Sequence, residues 1–364
     1  MVNVCDRVAT RRTGEDDVAT TCTRRPLFAL VAALLIALTA GCGGEPGQDE
    51  AVEAPPAEPQ PVTSLPPVFY VDPDSPASEQ SRVWAQTGRQ DDAAELLKIS
   101  ERPTARWLTD EEIEGVPVRD AVDAFVAQAT TAGQLPVLVV HYLPERDCGR
   151  SGPGGAPSAD AYRSWIREVA AGIAGRPAIV IVEPNGVPDV VAGCVRNVEQ
   201  RYALLRDAVA VLAGAGSARI YLDAGHPRWI TDVKALAAAL KRAGIANARG
   251  FSLNVANFVR TADNVSYGHR LSDALGGTVP FVIDTSRNGN GPYPGDTVNG
   301  GPSWCNPPGR ALGEPPTDDP GLPRVDALLW IKYPGESDGS CRPGEPEVGA
   351  WWPEYALDLA RRSS

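Results

Sequence analysis

Seven short, almost unbroken apolar runs alternate with longer amphipathic stretches between residues 67 and 333, and this alternation leaves few folds open to the chain. The runs are PVFYVD (67–72), PVLVVHYL (136–143), AIVIVEP (178–184), RIYLDA (219–224), GFSLNV (250–255), PFVIDT (280–285) and ALLWIKY (327–333). Strands that read as continuous Val, Ile and Leu, rather than as apolar and polar in alternation, are buried on both faces. Between them, residues 159–174, 195–213 and 231–243 place apolar side chains near helical spacing. A repeated strand-then-helix order predicts an α/β fold, a parallel sheet or (β/α) barrel of about seven strands.

Polar side chains gather where these runs end. Asp147 follows one strand, Glu183 and Asn185 the next, then Asp223, Asn254 and Asn257, Asp284, and finally Lys332, Glu336 and Asp338. In a parallel barrel all these ends share one rim, where loops build a site. Asp and Asn are also ordinary turn formers, so any one of them alone reads as a loop cap; the repetition is what argues for a site. Trp107, Trp229 and Trp304 lie in or beside loops rich in Pro, Gly and Asp. Sugar rings stack their apolar faces on indoles while their hydroxyls need carboxylate, amide or ammonium partners, so loops carrying both point to carbohydrate. Each Trp taken singly reads equally well as packing beneath a loop.

The N-terminus carries an address. Arg24 and Arg25 precede an apolar run from Pro26 to Ala40, which is short for a membrane span and ends at Leu38-Thr39-Ala40-Gly41-Cys42. Residues 1–41 read as a signal peptide, and small residues directly before Cys42 resemble the bacterial lipobox, in which the Cys is lipidated. Ordinary signal cleavage nearby is the alternative. Thr23-Arg24-Arg25 loosely resembles a twin-arginine signal, which leaves the export route open. Residues 42–66 are too polar and too broken by Pro to pack and read as an acidic tether, leaving one domain over 67–362. The expected location is the outer face of the cell membrane, or the medium if Cys42 is not lipidated.

Of seven Cys, those outside the leader and lipobox are Cys148, Cys194, Cys305 and Cys341, which suggests two disulfides in an exported domain, with three connectivities open. No spacing suggests a metal site, and no cofactor motif is present. The net charge is −12, and a chain this acidic argues against nucleic acid as a partner.

Together these segments resemble glycoside hydrolase family 6, the inverting β-1,4-glucanases that include cellulases and cellobiohydrolases. The motifs occur in order from about Val68 to Arg361: FYVDPDS, LPERDCG, SADAYRSWI, IVEP, YLDAGHPRW, NVANF, FVIDTSRNGNGP, WCNPPGRALG and LWIKYPGESDGSC. The resemblance implies a distorted barrel of fewer than eight strands, with a cleft or tunnel at the strand C-termini. It implies the disulfides Cys148–Cys194 and Cys305–Cys341. It also implies Asp338 as the base, Asp147 as the residue that tunes the acid and orders water, and Asp223 as a further acidic residue near the cleft. Trp107, Trp229, Asn257, Trp304, Lys332 and Glu336 match positions that hold successive glucose units, and Asp284 and Arg287 read as structural partners. The implied partner is a β-1,4-glucan or cello-oligosaccharide, bound by a monomer that is tied to the membrane through its lipid.

One residue departs from that pattern. The family's acid is the Asp of an EPD motif, and this chain reads Glu183-Pro184-Asn185. Asn has the shape of Asp and can hydrogen-bond a sugar oxygen, but it has no acidic proton. Loss of a general acid costs about 10² to 10⁴ in rate. The family's Tyr six residues before the Asp of RDC is replaced by His141, and the loop after it reads Gly149-Arg150-Ser151-Gly152-Pro153. His141 and Asp189 are candidates for a replacement acid. Two readings follow: a slow or altered β-1,4-glucan hydrolase, and a glucan-binding surface lipoprotein that does not cleave. Retention of Asp147, Asp223 and Asp338 argues for the first, and substitution of the acid for the second.

Overall fold

The computed structural model describes residues 69–149 and 154–363, together with two short antiparallel strands, Val4–Asp6 and Thr21–Thr23. The chain divides into two units, Met1–Pro61 and Val62–Ser364. Of the first, only those two strands are described. The rest of the leader, Cys42, the tether and residues 150–153 lie outside the described residues. Among the described residues no helix is long and apolar enough to cross a membrane.

Seven strands form one sheet in the second unit: β1 (Arg106–Leu108), β2 (Val137–Val140), β3 (Gly175–Val182), β4 (Gly216–Asp223), β5 (Gly250–Leu253), β6 (Phe281–Asp284) and β7 (Val325–Leu329). Every pairing is parallel, and the strands lie side by side in chain order. The sheet curls until its two edges meet through single bonds: Ala105 N–H donates to the Trp330 carbonyl (3.0 Å), and the Trp107 indole N–H to the Ile331 carbonyl (2.8 Å). This is the distorted α/β barrel that the alternating runs predict.

The alternation of side chains along each strand separates two apolar layers. Val137 and Val139 of β2 and Ile179 and Ile181 of β3 join Tyr221, Val282 and Leu329 inside the curl. Leu138, Val140, Val180 and Val182 face outward onto helices. Helix α1 (Ala159–Ile173) buries Tyr162, Trp165, Ile166, Val169 and Ile173, a stripe at helical spacing. Its first turn is capped by the Ser158 hydroxyl, which accepts the Ala161 N–H, and it ends in the left-handed Ala174 and Gly175. Helix α2 (Val198–Ala213) starts a turn later than the apolar spacing suggests, because Asn197 caps it. Helix α3 (Val233–Ala243) is capped by Asp232 and stopped by Gly244.

The sequence misplaces one strand. Phe69 makes a lone bridge to Leu135, and residues 69–72, the described part of that run, form no strand of the sheet. The edge strand is β1 instead, whose three residues are too few to show any periodicity. Trp107 therefore stands in a strand, not in a loop as its Pro-rich and Asp-rich flanks suggest.

Candidate active site

The C-terminal ends of β2 to β7 open onto a cleft of about 700 Å³. Trp107, Trp229, Asn257, Trp304, Lys332, Glu336, Asp147, Asn185 and Asp338 all line it. Rim geometry demands unusual backbone: Asp147, Cys148, Glu183, Asn185, Asn254 and Ala256 all take positive φ. Left-handed non-glycine residues cost about 1–3 kcal/mol each and persist where surrounding structure over-determines them, as at ligand sites. Here the determinants are visible. Cys148 is bonded to Cys194, which fixes the turn carrying Asp147. Asn254 donates to the Asp284 carbonyl and accepts the Val259 N–H.

Asn185 is tied in from two sides. Its side-chain amide donates to Asp147 Oδ1 at 2.8 Å, and its backbone N–H donates to Asp223 Oδ2 at 2.8 Å. Asp223 does not itself line the cleft; it is buried beneath Asn185 and also accepts from Gly225 N–H and the Ser252 hydroxyl. Burial pushes its carboxyl up to about 7, although those donors pull the other way. His141 also lines the cleft, with Nε2 3.4 Å from Asp147 Oδ2 and Nδ1 3.7 Å from Glu183 Oε2. Glu183 also accepts the backbone N–H groups of Tyr142 and Leu143, and burial raises its carboxyl above the usual range. Asp189 is wholly buried beside the Cys148–Cys194 disulfide and does not line the cleft, so it has no route to a bound sugar.

Asp338 lies on the loop after β7 and is held by a buried cation. Arg287 Nη2 stands 2.9 Å from Oδ1, Arg287 Nη1 donates to Oδ2 at 3.0 Å, and the Asn306 N–H adds a third contact at 3.0 Å. Such a two-pronged guanidinium contact fixes the plane of a carboxylate as well as its charge. Arg287, read from the sequence as structural, thus bears directly on a cleft carboxylate, while Asp284 is structural: buried, it accepts the N–H groups of Ala256, Ser286, Ile331 and Lys332.

The aromatic walls differ in role. Trp107 stands edge-on to His141, and Lys332 Nζ lies 5.8 Å from its ring centre while donating to Glu336 Oε2 at 2.8 Å. Trp304 is 51% exposed, an indole offered to solvent beside Cys305, which is joined to Cys341. Cleft residues not singled out from the sequence include His226, Arg228, Phe258 and Tyr293. The first two lie inside the quoted YLDAGHPRW run, where their closeness to Trp229 was the available signal. Burial, with Arg228 adding to it, lowers His226 to about 4, so it meets a ligand as a neutral imidazole.

An open cleft at the strand C-termini of a parallel α/β barrel, lined by indoles and hydrogen-bonding carboxylates, defines a class of protein built to hold a polar chain with apolar faces. Within that class the chain belongs to the family described as glycosyl hydrolases family 6, whose sequence profile matches residues 67–363. It is similar to endoglucanase A of Thermobispora bispora, with 39% identity over 344 residues, 92% of this chain and 69% of the relative. Endoglucanase A of Cellulomonas fimi is 42% identical over 308 residues, which span 84% of this chain and 62% of the relative, so part of that protein has no counterpart here. Among solved structures, the endoglucanase Cel6 from Mycobacterium tuberculosis, in complex with methyl-cellobiosyl-4-deoxy-4-thio-β-D-cellobioside, superposes with a TM-score of 0.75. That pair is 41% identical and covers 82% of this chain and 98% of the other.

Proposed function

We propose that the cleft binds a β-1,4-glucan chain and hydrolyses its internal bonds slowly, because the position of the family's acid is held by an amide. The observation that carries this is the contact between Asn185 Nδ2 and Asp147 Oδ1 at 2.8 Å. With aspartate at that position, two carboxyls so close would share a proton, and that proton is the one a leaving sugar oxygen needs. With Asn185 the pair has a hydrogen bond but no acidic proton to give. The rest of the machinery is in place: Asp338 held by Arg287, indoles to stack sugar rings, and Lys332 with Glu336 to meet hydroxyls. Relatives named endoglucanases support both the substrate class and cleavage within the chain.

In this reading Asp338 activates water on the face of the sugar opposite the leaving group, and the product inverts. Departure of the leaving oxygen then limits the rate. Aryl cello-oligosaccharides with a nitrophenol leaving group need little protonation, so they should be cleaved about 10²-fold or more faster than cellohexaose. Asn185→Asp should shrink that gap. Equal rates on both substrates in the unaltered protein would contradict a missing acid. The Asn185 amide also favours the second reading, a surface protein that holds glucan without cutting it, and no aryl glycoside turnover at all would select it.

Export and a lipid on Cys42, with 42–66 as tether to a domain over 67–362, are part of the same proposal; the two disulfides support export. Mass spectrometry that finds no diacylglycerol on Cys42 would remove the anchor.

A further inference from the structure

Asn185 is followed by Gly186, and the structure places this Asn-Gly pair where an aspartate would change the chemistry of the whole cleft. An Asn side chain before glycine is the most readily deamidated arrangement in a polypeptide, because no Cβ shields the backbone nitrogen that attacks Cγ. We propose that Asn185-Gly186 is a self-modification site, at which loss of ammonia converts Asn185 to aspartate and installs a carboxyl group opposite Asp147. The proposal rests on the reading of the cleft as a glucan hydrolase short of its acid.

The step balances with water as the sole co-reactant. The Gly186 nitrogen bonds to Asn185 Cγ and gives up its proton, the Cγ–Nδ2 bond breaks, and the nitrogen leaves as ammonia. Water then opens the five-membered imide to aspartate or isoaspartate. The sum is amide plus water to carboxylate plus ammonium, with no oxidant or reductant.

Three features of the site bear on it. Asn185 lines the cleft, so solvent reaches it, and its departing nitrogen already donates to a carboxylate oxygen of Asp147 at 2.8 Å, a base that can take a proton from solvent and return it to the leaving nitrogen. The amides of Asn288 and Asn290, in two other Asn-Gly pairs, donate instead to carbonyl or hydroxyl oxygens. Against the reaction, the Gly186 N–H is engaged by the Glu183 carbonyl at 2.8 Å and must be released first. The turn that makes that bond holds Glu183 and Asn185 at φ of 51° and 68°, left-handed values that non-glycine residues resist, and opening relieves them. Gly186 also has a packing reason to be glycine, since a Cβ there would lie 2.9 Å from the Glu183 carbonyl oxygen and 3.1 Å from Leu143 Cδ1. Its identity alone therefore carries nothing; the carboxylate beside the amide and the place of that amide in the cleft do.

The test follows the purified, unaltered protein as it ages at mildly alkaline pH. Peptide mapping that separates Asn, Asp and isoaspartate reads position 185, with the Asn299-Gly300 pair as an internal reference, and cellohexaose cleavage is measured on the same samples. Aspartate should accumulate at 185, and cleavage should rise linearly with its fraction, extrapolating to the rate of Asn185→Asp. Asn185→Gln, which would have to close a slower six-membered ring, should stay at its starting rate. An Asn185 that remains an amide after Asn299 has converted overturns the inference, as does conversion to aspartate without a rise in cleavage. An Asn185→Asp protein that melts normally yet cleaves nothing sinks the hydrolase reading itself, a result distinct from either.

Discussion

Asn185 and Asp223 show how one residue's environment sets what its neighbour can do. Asp223 spends its carboxylate on the backbone of Asn185 and Gly225, out of reach of the cleft, so its part is to hold the turn that aims residue 185. That arrangement carries a cost in pH. Asp223 is raised from an ordinary carboxyl value near 3.8 to about 7, so the folded state keeps a proton that the unfolded chain has lost. The stability this group contributes is full below about 4 and is lost as pH rises to about 7. His226, lowered to about 4, acts with the opposite sign below its unfolded value, so the whole-protein profile mixes the two. A difference measurement separates them. Asp223→Asn should be less stable than the unaltered protein at all pH values, because its amide faces an N–H group, but the deficit should narrow steadily between about pH 4 and about 7. Calorimetric melting of both proteins across that range checks it, and a deficit that stays constant or widens would mean that Asp223 is not held protonated by burial.

At the level of elements, strands were legible in proportion to their length and burial. The runs at β2 to β7 are apolar on both faces and announced themselves; β1 is three residues long, and its partner is fixed by tertiary contact with β2 rather than by any local pattern. The run at 67–72 reads as a strand from its composition, but its described residues meet the sheet through Phe69 and the Tyr70 N–H, before Asp72 and Pro73 turn the chain away. Loops were less legible still, because a loop's position depends on what anchors it. Trp304 sits beyond the two-stranded ribbon of Thr297–Val298 and Gly301–Pro302, next to a disulfide that ties it to the loop carrying Asp338. An indole anchored at its base and exposed at its face is preorganised for stacking. Trp304→Ala should therefore weaken cellohexaose binding by about 1 kcal/mol or more in titration calorimetry, with little change in melting temperature. Unchanged affinity would exclude that loop from the groove.

Across the whole molecule, the sequence placed the rim better than it ranked the residues on it. Strand-end polar residues do converge, since a parallel barrel gives them no other place, but only the folded cleft separates those that line it from those that hold the turns. Asp284, Glu183 and Asn254 look like Asp147 in sequence and are interior braces in space. The Arg287–Asp338 pair was invisible as a pair, because 51 residues separate its members and nothing local links them. Reading Asn185 at the position of the family's acid needs only the EPD pattern, and the proposal built on it draws on the 2.8 Å bond to Asp147. The most direct measurement compares cellohexaose cleavage by the freshly purified protein with that of Asn185→Asp, with Asp338→Ala in each background to exclude contaminating enzyme. A cleft that lacks only its acid predicts inverted cello-oligosaccharide products at a rate about 10² to 10⁴ higher in Asn185→Asp, abolished by Asp338→Ala. Rapid cleavage by the unaltered protein, unaffected by Asn185→Asp and lost with Asp338→Ala, would show that another group supplies the proton and would contradict the role assigned to Asn185.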